Sequence, residues 1–150
     1  MSFQDAYDQV VAALGAVDGL HQCTDTSAQD KGDLARAGNE GGQGEGAFIL
    51  STEGWEPYPE ISDNVARDNV AVLQFQVRAM ADRDKLEKAK GRIYLYMHRF
   101  WAAIIRADAS TIGAAVCAIL PSGEKTNVRP DTEGKAIIAR YNFRLIYQES

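Results

Sequence analysis

The sequence predicts an α+β domain: an antiparallel, in part mixed, β-sheet packed by a short N-terminal helix and one long central helix. Three observations carry this expectation. Residues 69–81 and 136–148 alternate apolar and polar side chains with a period of two. Residues 83–107 repeat apolar side chains at steps of three and four. Few long crossovers separate the strands, so an antiparallel sheet with its helices on one face is the economical arrangement. The 150 residues suit a single domain that buries about two-thirds of its unfolded surface, and they contain no internal repeat.

The elements follow in order. Ser2 caps a first helix, with Asp5 three residues on in a near capping-box arrangement. Phe3, Tyr7, Val10, Leu14 and Val17 form its apolar stripe, and Asp18-Gly19 stops it. Leu20 to Thr24 reads as a short strand. From Asp25 to Gly46, Leu34 is the only large apolar residue among five acids, two bases and six glycines. Such a segment cannot offset its ordering entropy by burial of its own side chains, so residues 25–46 are expected to form a long flexible loop.

Ala47 to Thr52 is expected as a strand, and EGWEPYPEISDN as a turn-rich connection. In residues 69–81, Leu73, Phe75, Val77 and Ala79 share one face and Gln74, Gln76, Arg78 and Met80 the other. That pattern predicts a sheet covered on one side. In the long helix, Leu86, Ala89, Ile93, Met97, Phe100 and Ile104 make the stripe, widened by Tyr96 and Trp101. Its 25 or so residues give a rod of roughly 37 Å. Residues 114–120 read as a strand ended by Pro121-Ser122-Gly123, and residues 136–148 as a closing strand.

The charge is unevenly placed. Residues 1–63 hold twelve acids against Lys31 and Arg36, whereas residues 64–150 hold nine acids against fourteen bases. Either the two halves interleave and neutralise each other, or one face is acidic and another basic. The second arrangement is self-complementary head to tail and suits a ring of heterologous interfaces.

The net charge of −5 argues against broad nucleic-acid binding. No apolar run approaches the roughly 18 residues that span a bilayer, and MSFQDAYDQ lacks the basic start of a secretory signal. Cys23 and Cys117 form no CxxC pair and are expected as reduced thiols of an intracellular protein, Cys117 buried among Ala115, Val116, Ala118 and Ile119.

The stretch GNEGGQGEG at 38–46 is not a phosphate cradle. Glu40 and Glu45 would repel phosphate, no lysine follows, and a strand comes next where a helix would have to open. His21 and His98 have no ligand-spaced partner. The acids Glu53, Glu56, Glu60 and Asp63 lack the fixed spacing of a calcium loop. No GxSxG or HExxH occurs, so neither catalytic, cofactor nor metal residues are expected. Basic residues gather on the long helix: Arg83, Lys85, Lys88, Lys90, Arg92, Arg99 and Arg106. A partner's acidic surface accounts for them better than nucleic acid does, because no nucleic-acid motif accompanies them.

In this layout the chain resembles the tail terminator, or tail completion, proteins of tailed bacteriophages. The resemblance lies in the N-terminal helix ending in VDGLHQ, the strand VAVLQFQVRAM, the helix DRDKLEKAKGRIYLYMHRFW that follows at once, and the closing strand AIIARYNFRLIYQES. It covers nearly the whole chain. It implies a structural virion protein of a siphovirus-like tail, not an enzyme and without cofactor. Six copies would form a ring that stops tube polymerisation and joins tail to head. Its partners would be other copies of itself, the tail-tube protein and a head-side connector or stopper, with no sequence-specific nucleic acid and no membrane. Its place would be the tail or neck of the virion, assembled in the host cytoplasm. Other head–tail connector, stopper or neck proteins stay open, as does a small α+β ligand-binding module. The expected interface sets Glu53, Glu56 and Glu60 against the neighbour's Lys88 and Arg92, or its Arg140 and Arg144. Trp55 and Tyr58, expected in a loop, are its aromatic anchors; the alternative is that both pack back onto their own sheet.

Overall fold

The computed structural model describes residues 2–36, 44–57, 68–81, 86–130 and 135–148. Helix α1 (Phe3–Gly15) begins at a true capping box. The Ser2 hydroxyl accepts from the Asp5 amide, and the Asp5 carboxylate accepts from the Ser2 amide. Ala6, Val10 and Leu14 face the core, while Phe3 and Tyr7 are half-buried. The helix ends at Gly15, three residues before the expected Asp18-Gly19 stop, and Gly19 takes the positive φ of the turn.

The sheet is six-stranded and mixed, in the order β1 (His21–Gln22), β2 (Ala47–Pro57), β3 (Asp68–Met80), β6 (Ala136–Gln148) and β4 (Val116–Pro121). Strand β5 (Asn127–Pro130) also pairs with β6, beyond the end of β4. All pairings are antiparallel except the short parallel β1–β2 contact. The fold is thus the expected α+β class. The alternation of β3 and β6 places Leu73, Phe75, Val77 and Ala79 beside Phe143, Tyr141, Ala139 and Ile137 on one face. Strand β5 had no sequence signal. It continues the β4 edge after an excursion at Ser122, whose amide donates to the Tyr141 hydroxyl.

Helix α3 (Leu86–Phe100) and a π-helical turn (Trp101–Ile105) lie over this face, the turn closed by the Arg106 amide donating to the Trp101 carbonyl. Ala89, Ile93, Phe100 and Ile104 are fully buried as the stripe requires; Leu86, assigned to the same stripe, is exposed. Phe100 is the centre of the core. It stacks on Phe75 at 4.3 Å and meets Phe143 and Tyr141 at angles favoured by aromatic pairs. A short helix α4 (Ala109–Ile112), capped by Asp108, leads into β4.

Three expectations need correction. First, part of the expected loop 25–46 is ordered as helix. Asp25 caps α2 (Thr26–Lys31), Gly32 closes it with φ +60°, and a 3-10 turn (Leu34–Arg36) follows. The burial that the segment lacks in itself comes from the reverse face of the sheet: Ala28 and Leu34 pack with Cys23, Ala47, Ile49 and Ile138. The sheet is therefore covered on both faces here, which is why Gln76 and Arg78 are buried rather than solvated. Gln76 accepts from the Leu34 amide and from Arg140, and donates to the Gly32 carbonyl and to Gln74. Buried polar groups keep their place when partnered in this way. Residues 37–43 of the expected loop lie outside the described residues.

Second, β2 runs on to Pro57, so Trp55 sits in a strand rather than a loop. Third, Cys117 is exposed, at a bulge where β4 shifts register against β6. Cys23 is buried, and no disulfide joins the two.

Candidate functional site

The end of the glycine-rich stretch is an anchor. Glu45 reaches across to the long helix, where one carboxylate oxygen accepts from Arg92 Nε at 2.7 Å and from the Tyr96 hydroxyl at 2.6 Å. Its other oxygen accepts from the Met80 amide at 2.6 Å, and Arg92 donates in turn to the Met80 carbonyl. One carboxylate thus ties the start of β2, the end of β3 and α3 together. Gly46 follows with φ +79°; its amide donates to the Arg78 carbonyl and its carbonyl accepts from the His21 amide.

Burial first, then the hydrogen bond to Glu45 and its charge, raise the Tyr96 phenol well above its ordinary 10.0. The folded chain therefore holds this proton more tightly than the unfolded chain. The stabilisation is complete below pH 10 and is lost as pH rises beyond it. Tyr7, raised by burial and then by Asp8, adds in the same direction. We expect Tyr96→Phe to lower stability by about 1 kcal/mol at pH 8 and to make the fall above pH 10 shallower. Urea midpoints from pH 8 to 11 would read both; an unchanged alkaline slope would contradict the assigned role of Tyr96.

Ion pairs show how the two charged halves meet. Arg92 pairs with Glu45, Arg99 with Asp18 at 3.9 Å, and Arg140 with Asp33 at 2.9 Å. Each joins an acid of the first 63 residues to a base of the remainder, so part of the charge asymmetry is neutralised within one chain. Two of the expected interface bases are consequently engaged: Arg92 in the Glu45 anchor, Arg140 on the reverse face beside Gln76. Lys88 and Arg144 are exposed, one on α3 and one on the reverse face of β6.

Glu53, Trp55 and Glu56 are all exposed on the outer half of β2 but not on one side: Glu56, paired with Val70, turns to the reverse face, and Glu53 accepts there from the Ser51 hydroxyl at 3.1 Å. A bulge at Glu53 changes the side-chain phase, so that Trp55 pairs with Ala71 and turns to the helix-covered side. There it stands past the start of α1 and is 61% exposed instead of packed back on the sheet. Beside it is an apolar cleft of about 330 Å³ lined by Phe3, Thr52, Gly54, Ala71 and Tyr147. Among the described residues, β1 pairs with β2 only at Ala47 and Phe48, so the outer edge of β2 beyond them has no strand neighbour. Tyr58 and Glu60, expected with this group, lie outside the described residues.

A second exposed patch went unnoticed in the sequence. Tyr94 (61% exposed) and Leu95 lie on the solvent side of α3 with Gly91 and His98. At 100° per residue, Lys90 flanks this strip on one side and Lys88 and Arg99 on the other. The signal was present: Tyr94 and Leu95 fall off the buried stripe, where a solvated helix would carry polar residues.

A more polar cleft of about 470 Å³ lies between α1, α2 and β2, with Tyr7, Gln29, Lys31, Ser51 and Glu53 on its walls. The space between the sheet and α3 is filled by the aromatic core. Among the described residues no group of three or more His, Cys, Asp or Glu is gathered for a metal ion, and no helix is long and apolar enough to cross a membrane. No protein-family model and no curated protein matches the chain.

Proposed function

We propose that this chain is a ring-forming tail terminator, a structural virion protein that caps the tail tube of a tailed phage and joins tail to head. The observation that carries the reading is the pair of exposed patches of opposite character. One is the end of β2, where Trp55 is exposed on the helix-covered side and the acids Glu53 and Glu56 on the reverse side; the other is Tyr94 and Leu95 on α3, flanked by Lys88 and Lys90. An acidic strand end and a basic helix on one chain favour head-to-tail association, and a head-to-tail contact closes into a ring when its rotation allows. The element order supports the same reading, since the N-terminal helix, the long β3, the helix directly after it and the closing β6 are the parts that resemble terminators.

Arg92 belongs to the internal anchor, so charge reversal is best placed at Lys88 and Arg144. We expect Lys88→Glu with Arg144→Glu to weaken self-association and flatten its salt dependence while leaving the melting temperature within a few degrees. Association and salt dependence identical to those of the unmodified protein would rule out assembly through these charges. A head-side connector or stopper would share such surfaces; capture by purified tail tubes rather than by tail-less heads separates the terminator from it.

A further inference from the structure

We infer that copies join by extending the sheet: the open edge of β2 in one copy pairs antiparallel with the open edge of β4 in the next, Trp55 opposite Ile119. This rests on the ring reading and names its contact. The two strands lie at opposite ends of one sheet. Among the described residues, neither has a strand on its outer side over residues 49–57 and 116–121. In an antiparallel sheet, alternate residues turn both amide and carbonyl away from a given neighbour. On β2 the Phe48 carbonyl accepts from the Cys23 amide and the Leu50 carbonyl from the Tyr7 hydroxyl, so Thr52 follows on this edge and, after the bulge, Trp55. On β4 the Ser122 amide and carbonyl turn inward to the Tyr141 hydroxyl, so Ile119 turns outward.

The ladder also sets the register. Gly54, Val72, Arg144 and Leu120 stand level across the sheet, as do Trp55, Ala71, Leu145 and Ile119. Continued at this level into the next copy, the sheet brings Leu120 beside Gly54 and Ile119 beside Trp55, so outward groups meet outward groups. Strand β4 runs antiparallel to β2, which keeps the helix-covered sides together across the joint. Trp55 and Ile119 both lie on that side, and the exposed indole packs on the neighbour's Ile119. The neighbour's β5 comes level with β1, because Phe48, Val77, Ala139 and Val128 share a level too. Both cannot take one place beside β2. The two sheets therefore diverge at that end, and each copy is turned against the last as ring closure requires.

The reverse face selects the crossed pairing. Glu53 and Glu56 lie there on β2, whereas Arg129 lies there on β5 and Arg144 on β6, one strand in from the β4 edge. A twofold β2–β2 joint would set the acids against their own copies, and a twofold β4–β4 joint would gather the arginines. The crossed joint opposes acid to base. Pro57, Pro121 and a bulge in each strand keep both edges short, which restricts pairing with unrelated strands.

The test uses full-length protein carrying Cys117→Ser, with Gly54→Cys or Leu120→Cys introduced singly. Both positions are exposed, nothing lies within 4 Å of the Gly54 Cβ position, and Trp55, Ile119 and the charged residues are kept. The remaining Cys23 is buried. Under mild oxidation we expect the 1:1 mixture to yield disulfide-linked dimers and each variant alone to yield none. Protein with both changes should give a ladder ending at the ring. Efficient crosslinking of Gly54→Cys with itself overturns both the joint and the head-to-tail ring. A ring mass retained with no crosslink in the mixture overturns the joint and leaves the ring standing. Monomer without crosslinks overturns both. A second readout needs no cysteine: Glu56→Lys and Arg144→Glu should each weaken association about tenfold, and the two together should restore it. Additive weakening would contradict the joint.

Discussion

Replacing Phe100 by alanine is expected to destabilise the fold by about 3–5 kcal/mol, the range for removing a fully buried aromatic ring. Phe100 has no exposed surface and touches aromatic rings from two central strands: Phe75 of β3, and Tyr141 and Phe143 of β6. Its removal takes away the stacking partner of Phe75 and opens a cavity that the close-packed sheet beneath cannot collapse to fill. Phe100→Leu keeps most of the volume and should cost distinctly less. Urea unfolding with a common m-value would measure both. A loss below about 1 kcal/mol for the alanine variant would mean that α3 does not hold the sheet as described.

The second large effect is expected at Gly46, where alanine should cost about 2–4 kcal/mol. Two independent reasons add. The backbone has φ +79°, a region L side chains rarely adopt, and a Cβ there would stand 1.9 Å from the Gly19 carbonyl oxygen. That oxygen is main chain, so the clash is relieved only by moving the turn after α1 away from β2. Such a shift would pull on the His21–Gly46 hydrogen bond and on the neighbouring Glu45 anchor. Gly91 is the control: nothing lies within 4 Å of its Cβ position, and it sits mid-helix on the exposed side. Gly91→Ala should stabilise by about 0.5–1 kcal/mol. Equal effects at the two glycines would contradict the account of both.

The contrast bears on what the sequence could and could not reveal. The stretch 38–46 was legible as something other than a phosphate cradle, but its last two residues do a specific job that composition hides. Glu45 reads as one more solvated acid until Arg92 and Tyr96 are seen opposite it, 47 and 51 residues away. The period-two strands β3 and β6 and the period-3.6 helix α3 were legible because each carries its own pattern over a dozen residues or more. Helix α2 was not, because its burial is supplied by Ile49 and Ile138 from strands far along the chain. Its local signals, Asp25 before the first turn and Gly32 after the last, were nevertheless in plain view.

The interface residues divide in the same manner. Trp55, Glu53 and Glu56 lie close in sequence and stay on β2, but the bulge, marked in the sequence by Gly54, turns Trp55 to the helix-covered side and leaves Glu53 and Glu56 on the reverse. The basic set separates. Lys88 and Arg144 stay on the surface, while Arg92 and Arg140 are drawn to acids of their own chain. A charge count along the chain cannot distinguish an internal partner from an external one; only the fold brings Asp33 to Arg140. Tyr94 and Leu95 escape in the opposite way, being apolar residues outside the buried stripe that defines α3.

Copies of this chain are expected to assemble head to tail into a closed ring. The most direct measurement is the native mass of the purified protein by light scattering, over a wide concentration range and at low and high salt, with images of the largest species. A closed ring of about six copies, weakened by salt and without continuous growth with concentration, is the expected result. A strict monomer under all conditions, even with tail tubes added as template, would contradict it. A melting temperature that rose instead with a small ligand fitting the cleft between α1, α2 and β2 would then point to a binding module.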